Sequence, residues 1–269
     1  MQLLLSDAWL RRFAGIGRLY GQKALMLFAR SHICVVGIGG VGSWVAEALT
    51  RTGIGTITLI DLDDVCVTNI NRQLHALSDT IGQSKVEVMK SRILQINPEC
   101  QVNIIDDFVS ASNLAELISI QFDYVIEAID SIRPKAALLA YCRRHKIPVV
   151  TTGGAGGQID PTQIQVKDLA KTIHDPLAAK LRERLKSDFK IVKNKGKLGI
   201  DCVFSTEQLV YPQSDGSVCK AKSNAGGTMR MDCAAGFGAA TMVTASFGFI
   251  AVSHVLKKLQ RKMIASERV

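Results

Sequence analysis

Two cations, three carboxylates and a run of glycines are spaced along this chain as an anion-handling site requires. The run is Gly37-Ile38-Gly39-Gly40-Val41-Gly42, directly after an apolar stretch at 33–36. Glycines let backbone N–H groups approach a phosphate closely, and a helix opening behind them turns its partially positive end to the same point. Asp61 and Asp63 stand about twenty residues on, where a dinucleotide fold places the acid that takes ribose hydroxyls. Asn69, Arg72 and Gln73 follow in an N-x-x-R-Q pattern, Lys85 opens the next helical segment, and Asp130 ends a later apolar run. The glycines alone would suit many dehydrogenases, but hydride transfer has little use for the companions. Cleavage of a triphosphate needs them: Arg72 and Lys85 would neutralise charge as pyrophosphate leaves, and Asp130 would hold magnesium.

The elements that must bring these residues together follow from the hydrophobic pattern. Strand-like runs at 33–36, 56–61, 101–106, 122–129 and 147–152 alternate with helical spacing at 83–96, 113–118 and 134–145. That alternation predicts an α/β, Rossmann-like, doubly wound and mainly parallel sheet with helices on both faces. Carboxyl ends of parallel strands then share one edge, and the long polar stretch at 62–85 lies where such folds keep their chemistry. A mixed-charge helical arm at 7–30 offers Trp9, Phe13, Leu19, Leu25, Leu27 and Phe28 as apolar contacts. Past Gly153 the pattern changes. It predicts a strand at 163–166, a basic amphipathic helix at 176–185, a mobile lysine-rich loop at 186–197, an irregular stretch at 203–228 and an apolar final helix. One domain is expected over 1–269: an arm (1–31), a nucleotide-binding core (32–155) and a C-terminal extension (156–269) with crossover loop, substrate region and last helix.

The formal charge of +9 on 269 residues points to a polyanionic partner such as RNA or to a solvated basic surface. Seven cysteines, an odd count without a C-x-x-C pair, argue against zinc and against a disulfide framework. Buried reduced thiols for most of them, in a cytoplasmic protein, are the expectation, and the amino terminus lacks the order of a signal peptide. The segment 233–256 has no Asp, Glu, Lys or Arg and is long enough to span a bilayer. Its glycines, serines and His254 favour a buried or subunit-interface helix, with membrane association as the competing reading.

GIGGVG, DLDDVCVTNINRQ, GQSKVE and the strand-end Asp130 resemble the adenylating superfamily of ubiquitin-activating enzymes and their bacterial relatives that activate sulfur-carrier proteins. The resemblance implies ATP with magnesium and a homodimer. It places Gly39 and Gly42 at the phosphates, Asp61 at the ribose, and Asp63, Asn69, Arg72, Gln73 and Lys85 around the triphosphate. It also implies that Arg12 or Arg18 of the arm reaches the partner's nucleotide. Carrier-activating relatives generally have two C-x-x-C zinc pairs. Their lack here, with the basic loop, favours RNA over a carrier tail.

RRFAGIGRLYG, TTGGAGGQIDPTQIQV, DPLAAKLRERLKSDF and MDCAAGFGAATMVTASFGF resemble a bacterial branch of that superfamily acting on tRNA. The resemblance implies that ATP adenylates the threonyl carboxylate of a threonylcarbamoyladenosine beside the anticodon. The neighbouring carbamoyl group then attacks, releasing AMP and closing a ring. The alternatives are adenylation of the C-terminus of a sulfur-carrier or ubiquitin-like protein, and a sulfur-relay partner of a cysteine desulfurase. In the last, Cys233 beside Arg230 would carry a persulfide.

Overall fold

The computed structural model describes residues 5–213, 215–220 and 237–266. Its centre is β1 (His32–Val36), a strand whose last four residues are buried on both faces and therefore apolar. Side chains alternate across it. Ile33 and Val35 join one core, and Cys34 and Val36 join the other.

Around β1 lies a seven-stranded sheet. On one side it continues to β2 (Thr56–Ile60) and β3 (Gln101–Ile105), and on the other to β4 (Tyr124–Glu127) and β5 (Val149–Thr152). All of these pairings are parallel. Leaving β1 in both directions makes the sheet doubly wound and opens a crevice at the carboxyl ends, as the alternation predicts. Beyond β5 come β7 (Asp201–Ser205), parallel to it, and β6 (Ile164–Asp168), antiparallel to β7. The strand β7 corrects the expectation of irregular structure there. Its five residues follow the lysine-rich loop, and Gly196 and Gly199, both at positive φ, mark the turn before their start. The two-residue strands β8 (Tyr211–Pro212) and β9 (Val218–Cys219) pair in the same stretch.

One face of the sheet is covered by α3 (Gly42–Arg51), α4 (Lys85–Ile96) and α8 (Thr241–Ser266), the other by α5 (Leu114–Leu117), α6 (Ile132–Arg144) and α7 (Pro176–Ser187). In α8 the residues Val243, Phe247, Ala251, Val255 and Leu259 recur every four positions and are all buried. The helix is long and apolar enough to cross a membrane, yet this stripe fills the main core. Gly248 allows the close approach to α3, since a Cβ there would stand 3.0 Å from the Val41 carbonyl oxygen. The last helix thus starts at Thr241 rather than 233, and Cys233 and Arg230 lie outside the described residues.

The arm folds as α1 (Asp7–Tyr20) and α2 (Gln22–Arg30), with the Ser6 hydroxyl accepting the Trp9 N–H as its N-cap. Trp9, Phe13, Leu25 and Phe28 are buried as expected, whereas Leu19 is exposed to solvent together with Arg11, Arg12 and Arg18. The lysine-rich loop expected to be mobile is anchored at both ends. Ile191 is buried, and the N–H groups of Leu198 and Gly199 both donate to the Asp168 carboxylate.

Candidate active site

The glycine run divides by role. Gly37 has φ +88°, and its N–H donates to the Ile60 carbonyl at 2.9 Å. A Cβ at position 42 would stand 1.7 Å from the Gly37 carbonyl oxygen, so Gly42 lets α3 start directly behind β1. Gly37 and Gly42 therefore shape the turn. Gly39 and Gly40 instead face a cavity of about 400 Å³, and the nearest atom to a Cβ on Gly39 would be Gln73 Nε2 at 3.9 Å. Asp61 ties the end of β2 to the turn by accepting the N–H groups of Ile38 and of Asp63, the latter at 2.9 Å. Burial pushes the Asp61 carboxyl pKa above the usual range, and the nearby Lys85 charge opposes the shift. Asp61 fixes the rim and is not part of the cavity wall.

Asp63, Asn69, Arg72, Gln73, Lys85 and Asp130 all line the cavity, so strand ends distant in sequence do converge. Lys85 is buried at the start of α4, and its Nζ lies 2.7 Å from Asp63 Oδ2, whose side chain is 73% exposed. Arg72 donates to the Thr68 carbonyl at 2.8 Å and to Asn71 Oδ1 at 3.0 Å. Its own carbonyl accepts the Trp44 indole N–H at 3.0 Å. Thr241 at the start of α8 donates to the Asn71 carbonyl at 2.7 Å, so the final helix holds the arginine loop. Asn69 plays a local part, its Oδ1 accepting the Cys66 N–H at 3.0 Å to close a short turn. Gln73 is buried, with an Oε1 that has no donor among the described residues.

Sequence reasoning missed three supports. Glu127, the last residue of β4, is fully buried and paired with the equally buried Lys135 of α6 at 2.7 Å. The same carboxylate accepts from Thr151 Oγ1 at 2.5 Å and from the Ile129 N–H at 2.7 Å. It thereby sets the backbone that presents Asp130. Asp175 caps α7 through the Ala178 N–H at 2.9 Å and also accepts the Gly154 N–H at 3.1 Å. Burial pushes its pKa up, and these N–H groups oppose that shift. An Asp-Pro pair before an amphipathic helix was the signal available for it. Gln158 lines the cavity too, its Nε2 donating to the Gly154 carbonyl at 2.9 Å.

A glycine turn at a topological switch point, with cations and carboxylates on one crevice, defines a nucleotide-handling protein of adenylating type. The chain belongs to the ThiF family, whose sequence profile matches residues 14–268. It is 73% identical over 263 residues to the tRNA threonylcarbamoyladenosine dehydratase of Escherichia coli, covering 97% of this chain and 98% of that one. It is 57% identical over 257 residues to the protein of the same name from Haemophilus influenzae, covering 95% and 96%. The crystal structure of the Escherichia coli protein in complex with ATP matches at a TM-score of 0.88 and 67% identity, over 98% of this chain and 99% of that one.

Proposed function

We propose that this protein uses ATP to adenylate the threonyl carboxylate of threonylcarbamoyladenosine beside the tRNA anticodon, closing that side chain into a ring with net loss of water. The observation that carries the reading is one cavity walled by Gly39, Gly40, Arg72, Lys85 and Asp130, in a chain so close to proteins of that name. A carboxylate oxygen attacks the α-phosphorus. The bond to the bridging oxygen breaks, and its electron pair leaves with pyrophosphate. Arg72 and Lys85 offset the charge that gathers on the leaving group. Lys85 is suited to this because its present partner, Asp63, is open to solvent and can be exchanged for a phosphate oxygen.

The carbamoyl group then attacks the activated carbonyl. The acyl C–O bond breaks, AMP leaves with the former carboxylate oxygen, and the carbamoyl proton passes to solvent. Tethering replaces a protein nucleophile, since attack within one side chain has a high effective concentration. Burial pushes the Cys100 and Cys142 thiols up to about 12, which suits structural roles.

Magnesium fits the donor set. This ion commonly takes one or two carboxylates with phosphate oxygens and water, and carboxylates line the cavity. Of the carboxylates lining the cavity, Asp63 is paired with Lys85 and Asp175 caps α7, so Asp130 is the one that would hold it, and the ion would supply further positive charge to the phosphates. The reading also takes the enzyme as a cytoplasmic homodimer, with exposed Arg12 or Arg18 of α1 reaching a partner's nucleotide. The charge of +9 supports the polyanionic substrate. A cysteine-desulfurase partner would act through Cys233, outside the described residues.

The test is incubation of the purified protein with ATP, magnesium and tRNA bearing threonylcarbamoyladenosine. AMP, pyrophosphate and a nucleoside lighter by one water are expected. No AMP with that tRNA would overturn the reading. Pyrophosphate exchange that requires a protein with a glycine-glycine tail would keep adenylation and replace the substrate.

A further inference from the structure

The side of the cavity away from β2 carries a feature that ATP cleavage does not use. Phe237 and Tyr211 pair there, ring centroids 5.3 Å apart and planes inclined at 52°. Both rings are only partly buried, and neither joins a hydrophobic core. Phe237 lines the main cavity and also an adjoining hollow of about 530 Å³ that shares Arg72. Tyr211 lines a second hollow of about 510 Å³, which shares Asp175, Pro176 and Leu209 with the main cavity and includes Arg182 and Lys220. The pair therefore stands where three concave surfaces meet.

The backbone fixes this arrangement. The Gly157 N–H donates to the Gly238 carbonyl at 2.7 Å, and the Val210 N–H donates to the Gly157 carbonyl at 2.8 Å. Gly157 has φ +73°, and a Cβ on it would stand 2.8 Å from Phe237 Cδ1. Only a glycine lets the ring lie against that turn. Next in the chain, Gln158 is 4% exposed and oriented by its bond to Gly154, which leaves its Oε1 without a donor among the described residues. A buried acceptor in a cavity wall calls for an N–H from a ligand.

Strand order sets which ligand. With ATP on the glycine turn after β1, where Gly39 and Gly40 face the cavity, the acyl substrate enters from the side of β5 and β7, where the loop holding Gly157 lies. Single-stranded RNA is recognised by stacking splayed bases on aromatic side chains and by hydrogen bonds to their edges. We propose that Phe237 and Tyr211 form a nucleobase-stacking subsite that positions the anticodon-loop adenosine, or the base next to it, for adenylation. Arg182 and Lys220 supply positive charge beside it. The proposal rests on the tRNA reading above.

The test measures AMP formation against tRNA concentration and, separately, ATP affinity, for Phe237→Leu, Tyr211→Leu and the ring-conserving Phe237→Tyr. Base stacking on one aromatic ring implies a rise of about tenfold in the KM for tRNA in each leucine variant. ATP affinity and melting temperature should stay at wild-type values, and Phe237→Tyr should keep the wild-type KM. An unchanged KM for tRNA in both leucine variants overturns the subsite. So does a parallel loss of ATP affinity, which would make the rings part of the nucleotide wall. Failure of the wild-type protein itself to form AMP with this tRNA would overturn the functional reading instead, and so tells the two failures apart.

Discussion

Two lysine–carboxylate pairs flank the cavity, and they differ in what surrounds them. Glu127 and Lys135 are both fully buried, joined at 2.7 Å and further bonded to Thr151 and to the backbone of Ile129. Lys85 and Asp63 are as close, but Asp63 is 73% exposed. The first pair is shut off from solvent and acts on the backbone that presents Asp130. The second holds a buried ammonium at the cavity by a carboxylate that water already solvates, so its exchange for phosphate is cheap. Equal distances therefore mark opposite tasks, and burial decides which is which.

Breaking the buried pair gives the largest expected effect. Glu127→Ala leaves the Lys135 charge in the core, at a cost of about 3–5 kcal/mol measured by chemical denaturation. The double variant Glu127→Leu with Lys135→Met should recover most of that stability. A loss below about 1 kcal/mol in the single variant would make the two pairs alike. Lys85→Met, which keeps the buried stem, should lower AMP formation by about 10²–10³-fold. Its denaturation midpoint should move by no more than about 1 kcal/mol allows. A large fall in stability would assign Lys85 to the scaffold.

The smallest effect sharpens the comparison through His75, which is buried close enough to Lys85 to feel its charge. Neither of its ring nitrogens has a partner among the described residues. Burial first, and the Lys85 charge second, lower its pKa to about 4. Between the ordinary value of 6.5 and about 4, the unfolded chain binds a proton that the folded chain refuses. Stability is thus complete above pH 6.5 and falls as the pH drops through that window, by at most about 3 kcal/mol. Melting temperatures from pH 7.5 to 4.5 should show this slope, and His75→Leu should flatten it. An unchanged slope in the variant would place the acid sensitivity elsewhere.

Most of the site was legible because its signals are local. A glycine turn between a β-type run and a helix, an acid at a strand end and N-x-x-R-Q each occupy a few neighbouring residues, where periodicity and backbone preference speak directly. The roles within that set were less legible. Gly42 and Asn69 carry motif positions, yet one serves strand-helix packing and the other a turn. Asp175 could not be linked to Gly154 from spacing, because they are 21 positions apart with a strand between them.

By itself the amino-acid sequence determined the parallel, doubly wound core, the glycine turn after β1 and the set of cations and carboxylates at its strand ends. Those follow from short-range patterns that any fold of this kind must satisfy. Only the tertiary structure decided that β7 inserts between β5 and β6, that α8 locks the arginine loop, and that Lys85 rather than Lys135 faces an exchangeable partner. The physical reason is that a charge's behaviour depends on its burial and on the groups packed around it, and those come from elements far apart in the chain.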